Sequence, residues 1–403
     1  MSRRLLPALL TTLATALVPA SAGAATTYSF TEYPVPAGAD VRGLAAGPDG
    51  ALWFAEYRRS ALGRMATDGT YTEFPVPASP DGGGNPAPDG VAAGPDGALW
   101  FTEYTGDAVS RMTTSGQVTR YTLPGFASRN GGGKGPEDIA AGPDGNLWFL
   151  ESSDATVGRV TPSGAISEFP IPGGGIPTRI APGPDGQMWI TSFGTGAVYR
   201  MSTSGQVTAT YNLPTEFSGP RGIVAGADGA IWVVEGPRGK LARITTDGQI
   251  TELEGGAGEM ASIVVGPDHA LYATGPDGGG VDAINRTDGG PIERATAPAG
   301  TVDAVLGSDG ALWMTQSGPD KLLRVLPSTP TPPPPTRCVV PKVLGLKLAA
   351  AKTRLVKAHC RLGKVKRPRR AAAGRLRVTR QSPRAGTTKP AGTKVALTLG
   401  LRR

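Results

Sequence analysis

Histidine and cysteine are nearly absent from this chain of 403 residues: His269 and His359, Cys338 and Cys360 are all there are. A histidine-based triad has almost no material to use. A disulfide-dense scaffold or a cysteine-ligated zinc centre is excluded. Only one long apolar run occurs, Leu5 to Ala20, so no spanning helix is expected later in the chain. No phosphate-binding loop, EF-hand or HExxH motif appears. Acidic residues are missing altogether from 337–403. What is abundant is glycine and proline, 59 and 38 residues, far too many for a helical protein and indicative of many tight turns. The glycines do not recur every third residue, so collagen is excluded. A hydrophobic content of 39% supports a real core, and the length suggests two to three domains.

The net charge of +8 hides an asymmetry. Residues 337–403 hold 20 Lys and Arg, and residues 25–336 hold 19 basic and all 33 acidic residues, a net of −14. An acidic body is thus followed by a strongly basic tail. Such a tail implies an anionic partner, whether phosphate-rich polymer, nucleic acid, a membrane surface or the acidic body itself. The N-terminus has a positive start (Arg3, Arg4), an apolar stretch and the small-residue runs Ala20-Ser21-Ala22 and Ala22-Gly23-Ala24. This is a signal-peptide pattern over 1–24, and it implies a secreted chain in which a Cys338–Cys360 disulfide is allowed.

Self-similarity at a period of 40–48 residues organises the body. One unit reads Gly47-Pro48-Asp49-Gly50-Ala51-Leu52-Trp53-Phe54-Ala55-Glu56, continues to Gly63-Arg64-Met65 and ends Thr72-Glu73-Phe74-Pro75-Val76-Pro77. The tryptophan slot recurs at Trp53, Trp100, Trp148, Trp189, Trp232, Tyr272 and Trp313, which uses all six tryptophans. An arginine follows eleven residues later in six of the seven units. Each unit offers four short β-like runs, the first hairpin turning at Pro-Asp-Gly or a close variant. His269 fills the glycine slot of one such turn and reads as a turn residue. Four strands per unit at this period predict an all-β, seven-bladed β-propeller over 25–327. The seventh unit lacks a fourth strand, and an orphan strand, Tyr28 to Pro36, precedes the first unit. The N-terminal strand is therefore expected to complete the last blade and remove the open edges.

The repeated Gly-Pro-Asp-Gly-x-Leu-Trp-Phe-x-Glu and Thr-Glu-Phe-Pro-x-Pro phrases resemble the streptogramin lyase (virginiamycin B lyase) family of seven-bladed propellers. The resemblance implies magnesium-assisted elimination that opens the ester of a cyclic depsipeptide. The family's two working histidines fall at Ala261 and Asp303, its acidic partner at Thr301 and its glutamate at Gln316. None of the four groups is present, and alanine cannot act as a general base. No catalytic residue is assigned, and magnesium enters only if lyase activity is retained.

The mouth of each first strand would form a ring of Arg42, Asp89, Glu137, Thr178, Arg221, Ala261 and Asp303. This is either a ligand or metal site or a solvated rim. Glu56, Glu103, Glu151 and Glu235 recur in step with Arg64, Arg111, Arg159 and Arg243, which favours ion pairs within each blade over catalysis. The tryptophans read as inter-blade packing rather than a glycan platform. Two glycine-rich loops, 80–85 and 129–134, precede first strands and are candidates for binding.

A proline-rich linker spans 328–337. Beyond it, helical spacing at Leu348, Ala351, Leu355 and Ala358 and two strand-like runs predict a small α+β module over 338–403. Val340-Pro341, Gly345, Gln381-Ser382-Pro383 and Gly392-Thr393-Lys394-Val395 resemble a PASTA domain. The resemblance implies affinity for peptidoglycan or related wall polymers. A Cys338–Cys360 bridge would add roughly 3 kcal/mol in the chain-entropy picture. Lys364, Lys366, Arg367, Arg369 and Arg370 form a basic run suited to anionic wall polymer, with nucleic acid disfavoured by secretion. The expectation is a monomeric, secreted, envelope-associated propeller that binds an unidentified ligand or partner. The alternatives are a divergent C–O lyase, a hydrolase using metal held by Asp89, Glu137 and Asp303, or a protein-interaction hub.

Overall fold

The computed structural model describes residues 27–79, 85–125, 133–254, 259–276, 282–287, 293–297, 300–316, 318, 320–328, 337–358, 360–368, 376–390 and 393–401. The 1–24 segment, most of both glycine-rich loops, most of the linker, Arg369 and Arg370 lie outside the described residues. The chain divides into two compact units, one spanning Thr27–Ser328 and the other including Thr329–Arg403.

The first unit is all-β and consists of seven four-stranded antiparallel sheets. In six of them the strands follow chain order, as in Val41–Ala46, Leu52–Glu56, Ala61–Met65 and Tyr71–Pro75. In the remaining sheet the outer strand is the N-terminal Thr27–Pro34, paired along Lys321–Ser328 with Tyr33 opposite Leu322. Each first strand packs on the first strand of the next sheet, and Thr301–Leu306 packs on Val41–Ala46.

The repeated sequence phrases do the same physical task in each sheet. The second strand is buried along its length, as at Leu52–Glu56, and carries the repeat aromatic. Trp53 lies opposite Arg64 in the hairpin register, and its indole N–H donates to Asp49 of the turn at 3.0 Å. Arg64 bonds the other oxygen of the same carboxylate at 2.6 Å. The same clasp recurs at Trp100–Asp96–Arg111, Trp232–Asp228–Arg243 and Trp313–Asp309–Arg324. Where tyrosine replaces tryptophan, the Tyr272 hydroxyl donates to Asp268 at 3.1 Å. Gly47 opens the turn because a Cβ there would lie 2.3 Å from the Trp53 ring. His269 sits exposed in its turn at φ 63°, the left-handed conformation of the glycines it replaces.

This geometry corrects the expected Glu–Arg pairs. Arg64, Arg111 and Arg243 bind turn aspartates, because cross-strand register places them beside the tryptophan rather than at the strand end where the glutamates lie. Arg159 bonds the Thr203 carbonyl at 2.9 Å and lies over the Trp148 and Phe169 rings. The tryptophans are packing residues, stacked on outer-strand aromatics at 5.1 Å for Trp53–Phe74 and 5.5 Å for Trp100–Tyr121. Phe74 then underlies Gly116 of the next sheet, as Tyr121 underlies Gly164. Tyr33 of the N-terminal strand stacks on Trp313 at 5.1 Å and underlies Gly69 of the first sheet in the same way.

The second unit has its own core, built from Val340, Val343, Ala351, Leu355, Val395 and Leu397 among others. The helix Leu348–Lys357 packs on a three-stranded sheet ordered Arg361–Lys366, Lys394–Leu401, Leu376–Ser382. Cys338 and Cys360 are joined in a disulfide.

Candidate functional site

The first strands surround a central channel, and a cavity of about 160 Å³ within it is lined by residues of all seven. These strands are bulged: the pairing shifts register between Pro136 and Ile139, between Pro177 and Arg179, and at comparable places in four other sheets. A bulge sets two consecutive residues against one and re-aims side chains. Glu137 and Asp138, and likewise Thr178 and Arg179, therefore both reach the channel region.

Arg179 occupies the centre, with 32% of its side chain exposed. It lines three adjoining cavities. One, of about 270 Å³, brings Glu137, Thr178, Arg221 and Ala261 together with Ile176, Phe193 and Val302. Another, of about 250 Å³, is lined by Arg42, Asp89 and Asp303 with Asp40 and Asp138. The predicted ring thus splits into two groups on either side of one arginine. Arg179 and Asp138 were not singled out in the sequence, though a signal exists. The slot just after each ring residue is Gly43, Gly90, Gly222, Ser262 or Ala304 in five sheets, and charged only at Asp138 and Arg179. A Cβ at Gly43 would lie 2.2 Å from the Asp89 carbonyl, so the slot otherwise favours small residues.

Most polar groups here already have partners. Arg42 bonds Asp89 at 2.8 Å and Asp40 at 3.3 Å, and lies 3.6 Å over the Tyr57 ring. Arg221 pairs with Glu259 at 2.8 Å. The Ser262 hydroxyl donates to Asp303 at 2.8 Å, and Arg179 lies 4.0 Å from the same carboxylate. Glu137 accepts from the Ser152 hydroxyl at 2.8 Å, and the Thr178 hydroxyl donates to the Pro220 carbonyl at 3.0 Å. Asp138 accepts the Ile180 N–H at 2.8 Å. Burial pushes Asp89 and Asp138 up to about 6, against the pull of Arg42 and Arg179 respectively. Burial disfavours the charged form of Arg179, but Asp138, Asp303, Asp89 and Glu137 outweigh it and hold the guanidinium charged more firmly than usual.

Residues 20–131 and 126–257 match the virginiamycin B lyase family, more than half of the chain. The chain belongs to that family. Residues 339–400 match the PASTA domain. Among solved structures, a streptogramin B lyase is 26% identical with a TM-score of 0.66, over 75% of this chain and 98% of that one. Virginiamycin B lyase from Staphylococcus aureus, in a catalytically inactive histidine-to-alanine form with quinupristin, is 27% identical with a TM-score of 0.65, over 74% and 99%. The WD40 β-propeller domain of Doa1, 13% identical at a TM-score of 0.60, shares the fold. No curated protein matches the chain.

Of the four positions marked by the family resemblance, Thr301, Asp303 and Gln316 share one hairpin. Thr301 and Gln316 are directly opposed across the first hairpin of their sheet, and Asp303 is two residues further along. Ala261 presents only a methyl group to its cavity. Magnesium does not fit these residues. Gln316 and Thr301 are neutral, and the Asp303 carboxylate already faces Ser262 and the Arg179 cation. The metal set Asp89, Glu137 and Asp303 is likewise not formed. Among the described residues no three acidic, histidine or cysteine side chains gather closely enough to hold an ion. Arg179 supplies the positive charge between them, and a second cation would be repelled.

The second-strand glutamates Glu56, Glu103, Glu151 and Glu235 are fully buried. Glu56 accepts from the Tyr71 hydroxyl at 2.5 Å and pairs with Arg59 at 3.2 Å. Glu103 accepts from Ser110 at 2.5 Å and pairs with Arg120 at 2.7 Å. Lys134, from one glycine-rich loop, reaches Glu151 at 3.1 Å and Glu168 at 2.6 Å. Burial, reinforced by the neighbouring Glu252, pushes Glu235 up to about 7, with Lys240 pulling the other way. Its folded-state value is thus above the unfolded one, so the native chain binds this proton more tightly and stability falls as pH rises from about 4.5 to 7. Glu235→Gln is expected to leave the melting curve at about pH 4 unchanged and to stabilise the chain at pH 8 by about 2 kcal/mol. Equal melting of variant and parent at pH 8 would refute this assignment.

Proposed function

We propose that this protein is a secreted, envelope-associated, ligand-binding propeller of the virginiamycin B lyase family that does not carry out the family's elimination. In this reading 1–24 is a signal peptide, 25–327 a seven-bladed ring closed by the N-terminal strand, 328–337 a linker, and 338–403 a basic PASTA module that holds the chain to wall polymer. Ring closure is supported by two parallel contacts, Tyr33 on Trp313 and Tyr33 under Gly69, that repeat those between successive sheets. Envelope location is supported by the PASTA match and the disulfide.

The observation that carries the functional reading is Arg179 at the channel centre, beside an Asp303 that stands where a family histidine is expected. A guanidinium cannot accept a proton. Ala261 has no titratable group, and the Asp303 carboxylate is engaged by Ser262 and faces the Arg179 cation, so neither position offers the histidine base that the family resemblance implies. The cavity of Glu137, Thr178 and Arg221 instead offers charged and hydroxyl groups opposite Ile176 and Phe193, which are 50% and 38% exposed. Concave, partly apolar sites with a few fixed polar groups are suited to binding a small amphipathic ligand.

Incubation with virginiamycin B and magnesium, followed by liquid chromatography and mass spectrometry, tests the reading. The antibiotic is expected to keep its retention and mass. A product of unchanged mass and shifted retention would mean a lyase, because elimination opens the ring without adding water.

A further inference from the structure

The polymer that a wall-anchoring tail would grip can be narrowed further, and this step rests on the anchoring reading above. We infer that the PASTA module binds a phosphodiester-linked wall polymer along the solvent face of its three-stranded sheet, rather than the peptidoglycan peptide.

The sheet's middle strand, Lys394–Leu401, alternates strictly: Val395, Leu397 and Leu399 are buried in the core. Its other face carries Ala396, Thr398 and Gly400, a floor of small uncharged residues. Cross-strand neighbours share a face. Thr398 is flanked by Lys366 on one side and Arg380 on the other. Gly400 is flanked by Arg377, and Lys394 by Arg361. A register shift between Leu362 and Val365 lets Lys364 reach the same face as Lys366, and both are exposed. The result is a shallow trough with a small-residue floor and cationic walls. Adjacent strands lie ~4.8 Å apart, so the walls stand about 10 Å apart. That width admits a single extended polymer chain with anionic groups reaching both sides.

The charge pattern selects the occupant. Residues 337–403 contain no acidic side chain, so no Asp or Glu of the module faces Lys364, Lys366 or Arg380, and this surface suits a ligand that brings the anions. A zwitterionic stem peptide brings ammonium groups as well as carboxylates, and this surface offers the ammonium no acidic acceptor. A phosphodiester polymer brings one full negative charge per repeat and no cation. Arginine's planar fork matches phosphate oxygens, and Arg380 stands on one wall. Of the basic run 364–370, Lys364 and Lys366 belong to this trough, and Arg369 and Arg370 lie outside the described residues. Lys364 and Lys366 are one wall, and the facing wall comes from the strand Leu376–Ser382, set across the middle strand.

The test is co-sedimentation of the full chain with Gram-positive cell walls, before and after mild acid extraction of their phosphate polymers. Poly(glycerol phosphate) and poly-glutamate serve as soluble competitors at equal charge. Extraction is expected to abolish most of the pelleting, and only poly(glycerol phosphate) should release the protein. Lys364→Ser/Lys366→Ser/Arg380→Ser should weaken binding about tenfold or more and lower the salt slope of log affinity by about 2. Lys364→Arg/Lys366→Arg in the full chain should bind as the parent does, which separates lost contacts from lost folding. Full retention on extracted walls would overturn the phosphate assignment while leaving wall anchoring intact. Equal release by poly-glutamate would overturn it too, by showing that charge alone decides. Failure to pellet with untreated walls would remove the anchoring reading along with it.

Discussion

A chain lacking residues 27–36 is expected to lose its cooperative melting transition and to aggregate or dimerise. The strand Thr27–Pro34 pairs with Lys321–Ser328 over eight residues. It half-buries Tyr28, Phe30 and Tyr33, and Tyr33 stacks on Trp313. Burying such side chains contributes about 2 kcal/mol each, before the ladder of hydrogen bonds is counted. The sum approaches the roughly 5–15 kcal/mol that holds a whole domain together. Removal also exposes the long edge Lys321–Ser328, and exposed edges pair with other chains. Size-exclusion chromatography and a thermal melt check this. A monomeric truncated chain with the parent's melting temperature would show that the ring does not depend on its N-terminal strand.

Trp100→Ala should lower the melting temperature by roughly 10 °C, the second large effect. Trp100 is fully buried, stacks on Tyr121 and donates its indole N–H to Asp96 at 3.1 Å. Truncating a buried tryptophan costs about 3–5 kcal/mol through the cavity it leaves. Here it also removes a donor from a carboxylate clasped by Arg111 at 2.5 Å. Trp100→Tyr should cost less than half as much, because the sixth sheet uses Tyr272 with its hydroxyl on Asp268. Circular dichroism melts of the two variants decide the matter, and equal losses would show that the donor contributes nothing. The turn aspartates also bear on acid stability. Despite burial, bonds from Trp100 and Arg111 hold Asp96 below the usual carboxylate range. Its contribution is present near neutral pH and is lost as pH falls through that lowered value.

Much of this architecture was legible because the repeat writes each physical task seven times. Trp, Pro-Asp-Gly and the delayed arginine mark the same hairpin in sheet after sheet, and the orphan strand before Gly43 announced the Thr27–Pro34 pairing. The partner of each arginine was not legible. Sequence shows that Glu56 and Arg64 co-occur, but only the register shows Arg64 opposite Trp53 and bonded to Asp49. The channel was half legible. Glu137 and Thr178 were picked by position, whereas Asp138 and Arg179 stand in a slot that is otherwise Gly, Ser or Ala, and only the bulges show that this slot also reaches the channel.

The sequence by itself determined the repeat, the fold class, the charge division and the presence of Ala261 and Asp303 where the family resemblance implies histidines. These are properties of residue type and spacing, and they survive without coordinates. Only the tertiary structure decided that Arg179 stands among Asp89, Glu137, Asp138 and Asp303. Only it set Lys366 and Arg380 across one strand from each other. The first joins residues of four sheets, and the second needs the C-terminal strand Lys394–Leu401 to insert between two strands that follow one another in the chain. Their distances depend on how bulges and strand register close the backbone in space, which a local pattern does not encode.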